Sequence, residues 1–274
     1  MKLLEGKTAI ITGSGRGIGR SVANIFAQQG ASVLINDLDA DVGNEVAAAI
    51  TSRGGKAIAC SGSVVDEKFP DELINTALDQ FGRLDIIVNN AGYTWDAVVH
   101  SMTDPAWESM LAIHLTAPFR IIRAASSYLR SAAKEEIAEG KRVHRKIINV
   151  SSVSGLAGNA GQVNYSAAKM GVVGMTKALA REWGRFNINV NAVAFGFIET
   201  RLTDAKEKGV RLKIQGNEIG IGVPEMAREE FKKLIPLGRP GTPDEAAGPV
   251  LFLASPLSDY VTGIVLTVAG GSYM

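Results

Sequence analysis

Short apolar runs rich in β-branched residues alternate along this chain with helix-length amphipathic segments, and that alternation narrows the possible folds more than any other feature. Strands are expected at Thr8 to Thr12, Ser32 to Asn36, Lys56 to Cys60, Leu84 to Asn89, Lys146 to Val150, Ile188 to Val193 and Ile264 to Val268. Helices are expected at Ile18 to Gln29, Val42 to Ser52, Asp66 to Phe81, Pro105 to Leu129, Tyr165 to Trp183 and Pro243 to Ala254. Strands apolar on both faces, joined by helix-length crossovers, predict a parallel sheet covered on each side. Right-handed crossovers make that an α/β, Rossmann-type doubly wound sheet with helices on both faces. No repeat, low-complexity tract or linker divides the chain, so residues 1–274 read as one domain.

Two stretches break the alternation. Ala125 to Arg145 prolongs a helix, and the mixed charges from Lys134 to Lys146 read as a solvated helix end and turn. Leu202 to Leu237 lies beyond a strand's carboxyl end, where open α/β sheets bind ligands. It is expected to form a mobile substrate lid over about 200–237, with a packing or oligomer arm as the alternative.

Charge excludes some functions. Lys and Arg number 29 against 28 acids, which leaves no electrostatic footprint for nucleic acid or anionic lipid. A single cysteine, Cys60, excludes an internal disulfide framework and a multi-cysteine metal site, and reads as a buried structural thiol. The N-terminus is too poor in apolar length for a signal peptide, and no segment has the apolar length of a membrane span, so the expected location is the cytoplasm.

Thr12 to Gly19 follows the first strand and opens the first helix, which is the setting in which a glycine-rich turn binds a dinucleotide. Gly13, Ser14, Gly15, Arg16, Gly17, Ile18 and Gly19 form that turn. Ile18 occupies the third slot of the strict G-x-G-x-x-G pattern, so the spacing that fits is Gly13, Gly17, Gly19. Glycines let the backbone approach a pyrophosphate, and the helix N-terminus supplies amide donors. Asp37, 18 residues beyond Gly19, can accept hydrogen bonds from adenosine ribose hydroxyls and repels a 2′-phosphate. Leu38 offers a phosphate nothing, whereas Arg16 could pair with one. The balance favours NAD(H), with NADP(H) left open; a turn or cap role for Asp37 is the bland alternative.

Tyr165 and Lys169 are four apart on an expected helix and share a face. A free phenol has a pKa near 10. A neighbouring ammonium is expected to lower it towards a range useful for proton exchange. Ser152, after the strand Lys146 to Val150, can hydrogen-bond an oxygen on which charge develops.

Thr12 to Gly19, Asn89-Asn90-Ala91-Gly92, Ser152 and Tyr165-Ser166-Ala167-Ala168-Lys169, in this order, resemble the short-chain dehydrogenase/reductase family across the whole chain. The resemblance implies hydride exchange between a nicotinamide and a carbonyl/secondary-alcohol pair, with Tyr165 as proton donor and acceptor. It also implies that Lys169 holds the nicotinamide ribose and that Asn90, followed by Ala91 and Gly92, meets the adenine-side ribose. Ile198 and Thr200 would hold the carboxamide, and Gly155 to Gln162 would form part of the substrate loop. Ser63, followed by Val64, stands where an acid or amide usually meets the adenine amino group. His114 stands where an asparagine usually anchors a relay water; a satisfied structural histidine is the equal alternative. Phe195-Gly196 replaces Pro-Gly and would add an aromatic ring to the nicotinamide pocket, and Ala269 replaces an acid. The sub-branch resembled is that of 3-oxoacyl-thioester reductases and hydroxyacyl-CoA dehydrogenases. A small cyclic alcohol, sugar or steroid is the competing substrate, and a non-catalytic coenzyme-binding scaffold the competing class. A homotetramer or homodimer is expected, with small residues Ala167, Ala168, Gly171 and Gly174 permitting close helix approach and the Tyr165 helix pairing with the one from Pro105.

Overall fold

The apolar runs pair edge to edge as parallel strands because both of their faces are covered. In the computed structural model, which describes residues 2–214 and 216–273, the strands are β1 (Thr8–Ile11), β2 (Ser32–Ile35), β3 (Lys56–Ala59), β4 (Ile86–Asn89), β5 (Arg145–Ser152) and β6 (Ile188–Phe195). The hairpin strands β7 (Arg211–Ile214) and β8 (Asn217–Gly220) follow, then β9 (Val265–Val268). Seven strands form one sheet in the order β3-β2-β1-β4-β5-β6-β9, all neighbours parallel. Between β1 and β4 the order reverses, which opens a crevice at the strands' carboxyl ends.

The helices are α1 (Gly17–Gln28), α2 (Ala40–Ser52), α3 (Phe69–Phe81), α4 (Asp104–Leu111), α5 (Ala117–Ala138), α6 (Val153–Ala157), α7 (Val163–Trp183), α8 (Glu225–Lys233) and α9 (Pro243–Ala254). Successive β1 side chains enter opposite cores, as a strand's period of two requires. Ile10 joins Leu73, Met110, Ile121 and Trp183 from α3, α4, α5 and α7. Ala9 and Ile11 join Phe26, Val46, Val250 and Leu253 from α1, α2 and α9. Each such side chain, fully enclosed, contributes roughly 1.5–3 kcal/mol.

Two sequence expectations change. The single helix expected over Pro105 to Leu129 is α4 and α5 joined by a π-helical turn at Ala112–Thr116, in which the Ala117 amide reaches back to the Ala112 carbonyl. Pro118 supplies the reason: it has no N–H for the carbonyl four residues back, that of His114, and its ring crowds that carbonyl. Second, the charges at the end of Lys134 to Lys146 are not solvated. Arg145 and Lys146 are buried at the start of β5, Arg145 paired with Glu136 at 2.6 Å and Lys146 with Asp259 at 2.8 Å. The stretch after β6, expected to be a lid or an arm, contains the hairpin, with Ile219 and Ile221 buried, and α8. Cys60 is a buried free thiol, as expected. No helix among the described residues is long and apolar enough to cross a membrane.

Candidate active site

The turn after β1 is held by side chains rather than left to glycine flexibility. The Thr12 hydroxyl accepts from the amides of Asn90 and Ala91, both at 3.0 Å. The Asn90 side-chain amide donates to the carbonyls of Thr12 (2.9 Å) and Gly13 (3.1 Å). Ser14 is fully buried; its hydroxyl donates to the Ile11 carbonyl at 2.7 Å and accepts from the Asn36 amide at 3.2 Å. Ser14 and Asn90, expected to face a coenzyme, use these side-chain groups to hold the turn. Thr12, legible as the residue that opens the glycine-rich stretch, organises the turn through its hydroxyl.

Glycine is required where the turn passes close to other chain. At Gly13 (φ 62°) a Cβ would sit 2.8 Å from the Ala91 Cα, and a side chain at Gly19 would collide with the Gly13 carbonyl oxygen. Gly17 (φ 53°) faces open space apart from the Thr200 methyl, 3.5 Å from where its Cβ would lie. Helix α1, beginning with Ile18 at its second residue, has no side-chain cap and no acid in its first turn. Its leading amides are thus left for an external acceptor. This cradle, open, donor-rich and without a Cβ, fits a dinucleotide pyrophosphate.

Asp37 lies two residues beyond β2. Its carboxylate oxygens accept from the Gly15 amide (3.0 Å) and the Asp39 amide (3.1 Å). A Cβ on Gly15 would stand 2.6 Å from one of those oxygens, so the glycine admits the carboxylate. The cap of α2 is Asp39, not Asp37, whose accepted bonds are those of the turn role that the sequence left open. Arg16 pairs with Asp39 at 3.1 Å and holds its carboxyl below the usual range. Leu38 is exposed. Beside it Asn36 donates to the carbonyls of Cys60 and Gly62, fixing the loop that carries half-buried Ser63 and buried Val64.

At the carboxyl end of β5, Ser152 is the strand's last residue and its hydroxyl accepts from the Ser154 amide at 3.1 Å, starting α6. The neighbouring Ser151 hydroxyl donates to the Lys169 carbonyl (2.8 Å), and the Lys169 ammonium donates to the Val150 carbonyl (2.7 Å). Strand β5 is thereby clasped to α7. Tyr165, one turn earlier on α7, lies with its ring centre 5.5 Å from Lys169 Nζ and hydrogen-bonds Ser152. Buried Asn164 fixes the start of α7: its side-chain amide donates to the carbonyls of Trp95 and Ala106, and its oxygen accepts the Tyr165 amide. Sequence reasoning missed Asn164, because nothing in Asn-Tyr marks a buried anchor.

The electrostatics differ from the expectation. Desolvation in this crowded pocket pushes the Tyr165 phenol up to about 12, against the pull of the Ser152 hydrogen bond, and the Asp96 carboxylate adds to the rise. Burial also brings Lys169 down to about 7. The lysine is thus only partly charged near neutrality, and loss of water outweighs its attraction for a phenolate. In this state the phenol keeps its proton. Asp96, which sequence reasoning also missed, accepts from Gln162 at 2.9 Å and ties the loop after β4 to the predicted substrate loop Gly155 to Gln162.

His114 sits in the π-helical turn, buried, with Nε2 2.7 Å from the Tyr93 carbonyl and its ring edge-on to Tyr165 (centroids 4.9 Å, 88°). A carbonyl only accepts, so Nε2 carries the proton and Nδ1, which has no partner, is bare. Burial, aided by Lys169, holds the imidazole well below 6.5 and therefore neutral. A side chain at Gly92 would strike this ring. Beyond β6, Ile198 is buried and bridges to Gly241, while the Thr203 hydroxyl donates to the Ile198 carbonyl and accepts the Thr200 amide (2.9 Å). Phe195 packs inside the core instead of lining the pocket, because as the end of β6 its side chain joins Ile148 and Val193.

Comparison with known proteins agrees with this architecture. A family profile described as enoyl-(acyl carrier protein) reductase matches residues 13–273. The chain is 38% identical over 268 residues to a 3-oxoacyl-[acyl-carrier-protein] reductase FabG of Thermotoga maritima, covering 98% of each chain. It is 40% identical to the protein of that name from Vibrio harveyi, covering 99% of each, and 37% identical to a 3-oxoacyl-[acyl-carrier-protein] reductase of Synechocystis, covering 100% of each. With the glycine turn, the β5 serine and the Tyr-x-x-x-Lys helix in place and likeness over nearly its full length, the chain belongs to the short-chain dehydrogenase/reductase family, oxidoreductases that use a nicotinamide coenzyme.

Proposed function

We propose that the protein reduces 3-oxoacyl thioesters to 3-hydroxyacyl thioesters with NADH, and catalyses the reverse oxidation with NAD. The observation that carries this reading is the meeting of Ser152, at the end of β5, with Tyr165 on α7, one turn before Lys169 and set edge-on against His114. Two donors meeting at one point suit a single carbonyl oxygen that gains negative charge. The coenzyme, when bound, supplies the hydride to the carbonyl carbon. Ser152 donates a hydrogen bond to the oxygen, and Tyr165 transfers its proton to it. Lys169, fixed to the Val150 carbonyl, holds the nicotinamide ribose hydroxyls and carries charge beside the phenolate that remains. His114 braces the Tyr165 ring edge-on as a neutral group. The turn from Gly13 to Gly19 holds the pyrophosphate, Ser63 and Val64 border the adenine, and Ile198 and Thr200 border the carboxamide. Residues 200–237 act as the substrate lid.

Asp37 supports NAD(H) over NADP(H). Held rigidly by two amides, it presents its remaining lone pairs to ribose hydroxyls; opposite a 2′-phosphate at about 4 Å, even water-screened repulsion is about 1 kcal/mol. Arg16, the cation that could offset this, is already paired with Asp39. The acyl-thioester substrate is supported by the names of the full-length relatives. The profile's description favours a second reading, reduction of an enoyl thioester, in which hydride added at C3 would leave an enolate oxygen for the same hydroxyl pair; the names of the full-length relatives favour the ketone. Assembly as a homotetramer is part of the same proposal: Trp107 on α4, Phe119 on α5 and Met170 on α7 expose apolar side chains, and Gly174 has nothing near it. Gly171, by contrast, is filled by Leu115 within the chain.

Loss of absorbance at 340 nm with acetoacetyl-CoA or crotonyl-CoA, each with NADH and NADPH, tests the reading. Consumption of acetoacetyl-CoA with NADH is expected. Turnover of crotonyl-CoA alone would establish the enoyl reading, preference for NADPH would remove the role given to Asp37, and activity only on sugars or steroids would exclude the thioester.

A further inference from the structure

The lid starts directly above the phosphate turn: the Thr200 methyl lies 3.5 Å from the position a Cβ on Gly17 would take. The next residue, Arg201, is exposed and stands in the fields of Arg16, Asp37 and Asp39, which border the adenosine end of the same groove. Those neighbours are already committed. Arg16 is bonded to Asp39, and both oxygens of Asp37 accept backbone amides. Arg201 makes no hydrogen bond or ion pair among the described residues. A guanidinium that shares a groove with a second guanidinium, and has no carboxylate of its own, is suited to an anion arriving between them. Beside it the uncapped amides of α1 await an anion too.

We propose that Arg201 is a lid-borne ligand for the coenzyme pyrophosphate, meeting it beside the α1 N-terminus, so that coenzyme occupancy orders the lid. The inference rests on the coenzyme reading above and adds to it a residue outside the glycine turn. A planar guanidinium donates to two phosphate oxygens at once, so one residue can couple the lid's first turn to the bound dinucleotide. A 2′-phosphate is the other anion this groove could receive. The repulsion expected from Asp37 makes it the poorer partner, and the experiment separates the two.

The test is fluorescence titration of NADH and NADPH, with competition by ADP-ribose, on the wild type, Arg201→Gln and Arg201→Lys, beside limited trypsin cleavage at Lys206, Lys208 and Arg211 with and without NADH. Arg201→Gln is expected to weaken NADH, NADPH and ADP-ribose alike by about tenfold and to abolish NADH-dependent protection of the lid, and Arg201→Lys to recover part of both. Wild-type affinity and protection in Arg201→Gln would overturn the proposal, as would weakening confined to NADPH. Failure of the wild type itself to bind NADH or NADPH would instead overturn the coenzyme reading on which it stands.

Discussion

A lysine ammonium enclosed by protein loses most of its water, and at Lys169 the Val150 carbonyl, 2.7 Å away, is the one hydrogen-bond acceptor among the described residues in place of it. This is why its pKa falls to about 7 from 10.5. Between those values the unfolded chain holds a proton that the folded chain has released, so stability rises with pH through that window; below about 7 both states are protonated and the cost is complete. Tyr165 acts in the opposite sense and at higher pH, its contribution fading as pH climbs from 10 to about 12. Lys169→Met should therefore gain up to about 4 kcal/mol at pH 7, less about 1–3 kcal/mol for the carbonyl left bare, and the gain should shrink towards pH 10.5. Urea unfolding of both proteins from pH 6 to 10 measures this; a gap that does not change with pH would contradict it. The four-residue spacing of Tyr165 and Lys169 was legible because helix period alone puts them on one face. The sign of the pKa shift was not, since desolvation depends on what packs around the pair. For the same reason the inward turn of Ser14 and Asn90 was hidden: both look like coenzyme ligands in one dimension, and only the path of the turn shows which carbonyls they reach.

Elements were read well wherever two-sided burial or amphipathic spacing marked them, as in β2 or α9, whose bounds Pro243–Ala254 coincide with the expectation. They were misread where a local break competes with periodicity. Pro118 converts an expected continuous helix into α4, a π-helical turn and α5, and that turn carries His114 to the Tyr165 ring. The stretch after β6 was equally opaque, because its many charges mask a short hairpin whose Ile219 and Ile221 face inward. Ile219 joins the core cluster on the α3, α4, α5 and α7 side of the sheet, so the hairpin is tied to the core on the side that carries Tyr165. Ile219→Ala should cost about 2–4 kcal/mol of local packing. We expect several-fold faster trypsin cleavage of the lid and a raised KM for acetoacetyl-CoA, with NADH affinity unchanged. Unaltered cleavage would show that the hairpin is held by something else.

For the whole molecule, the sheet sets the site: reversal of strand order between β1 and β4 places the glycine turn, the end of β5 and the start of the lid around one crevice. That arrangement was legible from the alternation of strands and helices. The outer surface was not, because exposed apolar residues on helices differ from core residues only once the fold is known. Trp107, Phe119 and Met170 are 37%, 48% and 50% exposed, which suits a helix-to-helix interface between copies. Met170→Glu should lower the mass found by light scattering from that of a tetramer, through charge buried without a partner; an unchanged mass would place the interface elsewhere. At every scale the structure serves one protonated hydroxyl, which makes Tyr165→Phe the decisive variant. With NADH and acetoacetyl-CoA under single-turnover conditions, the variant should bind NADH as the wild type does and transfer hydride at least about 100-fold more slowly. A rate within a few-fold of wild type would show that the proton comes from somewhere other than Tyr165.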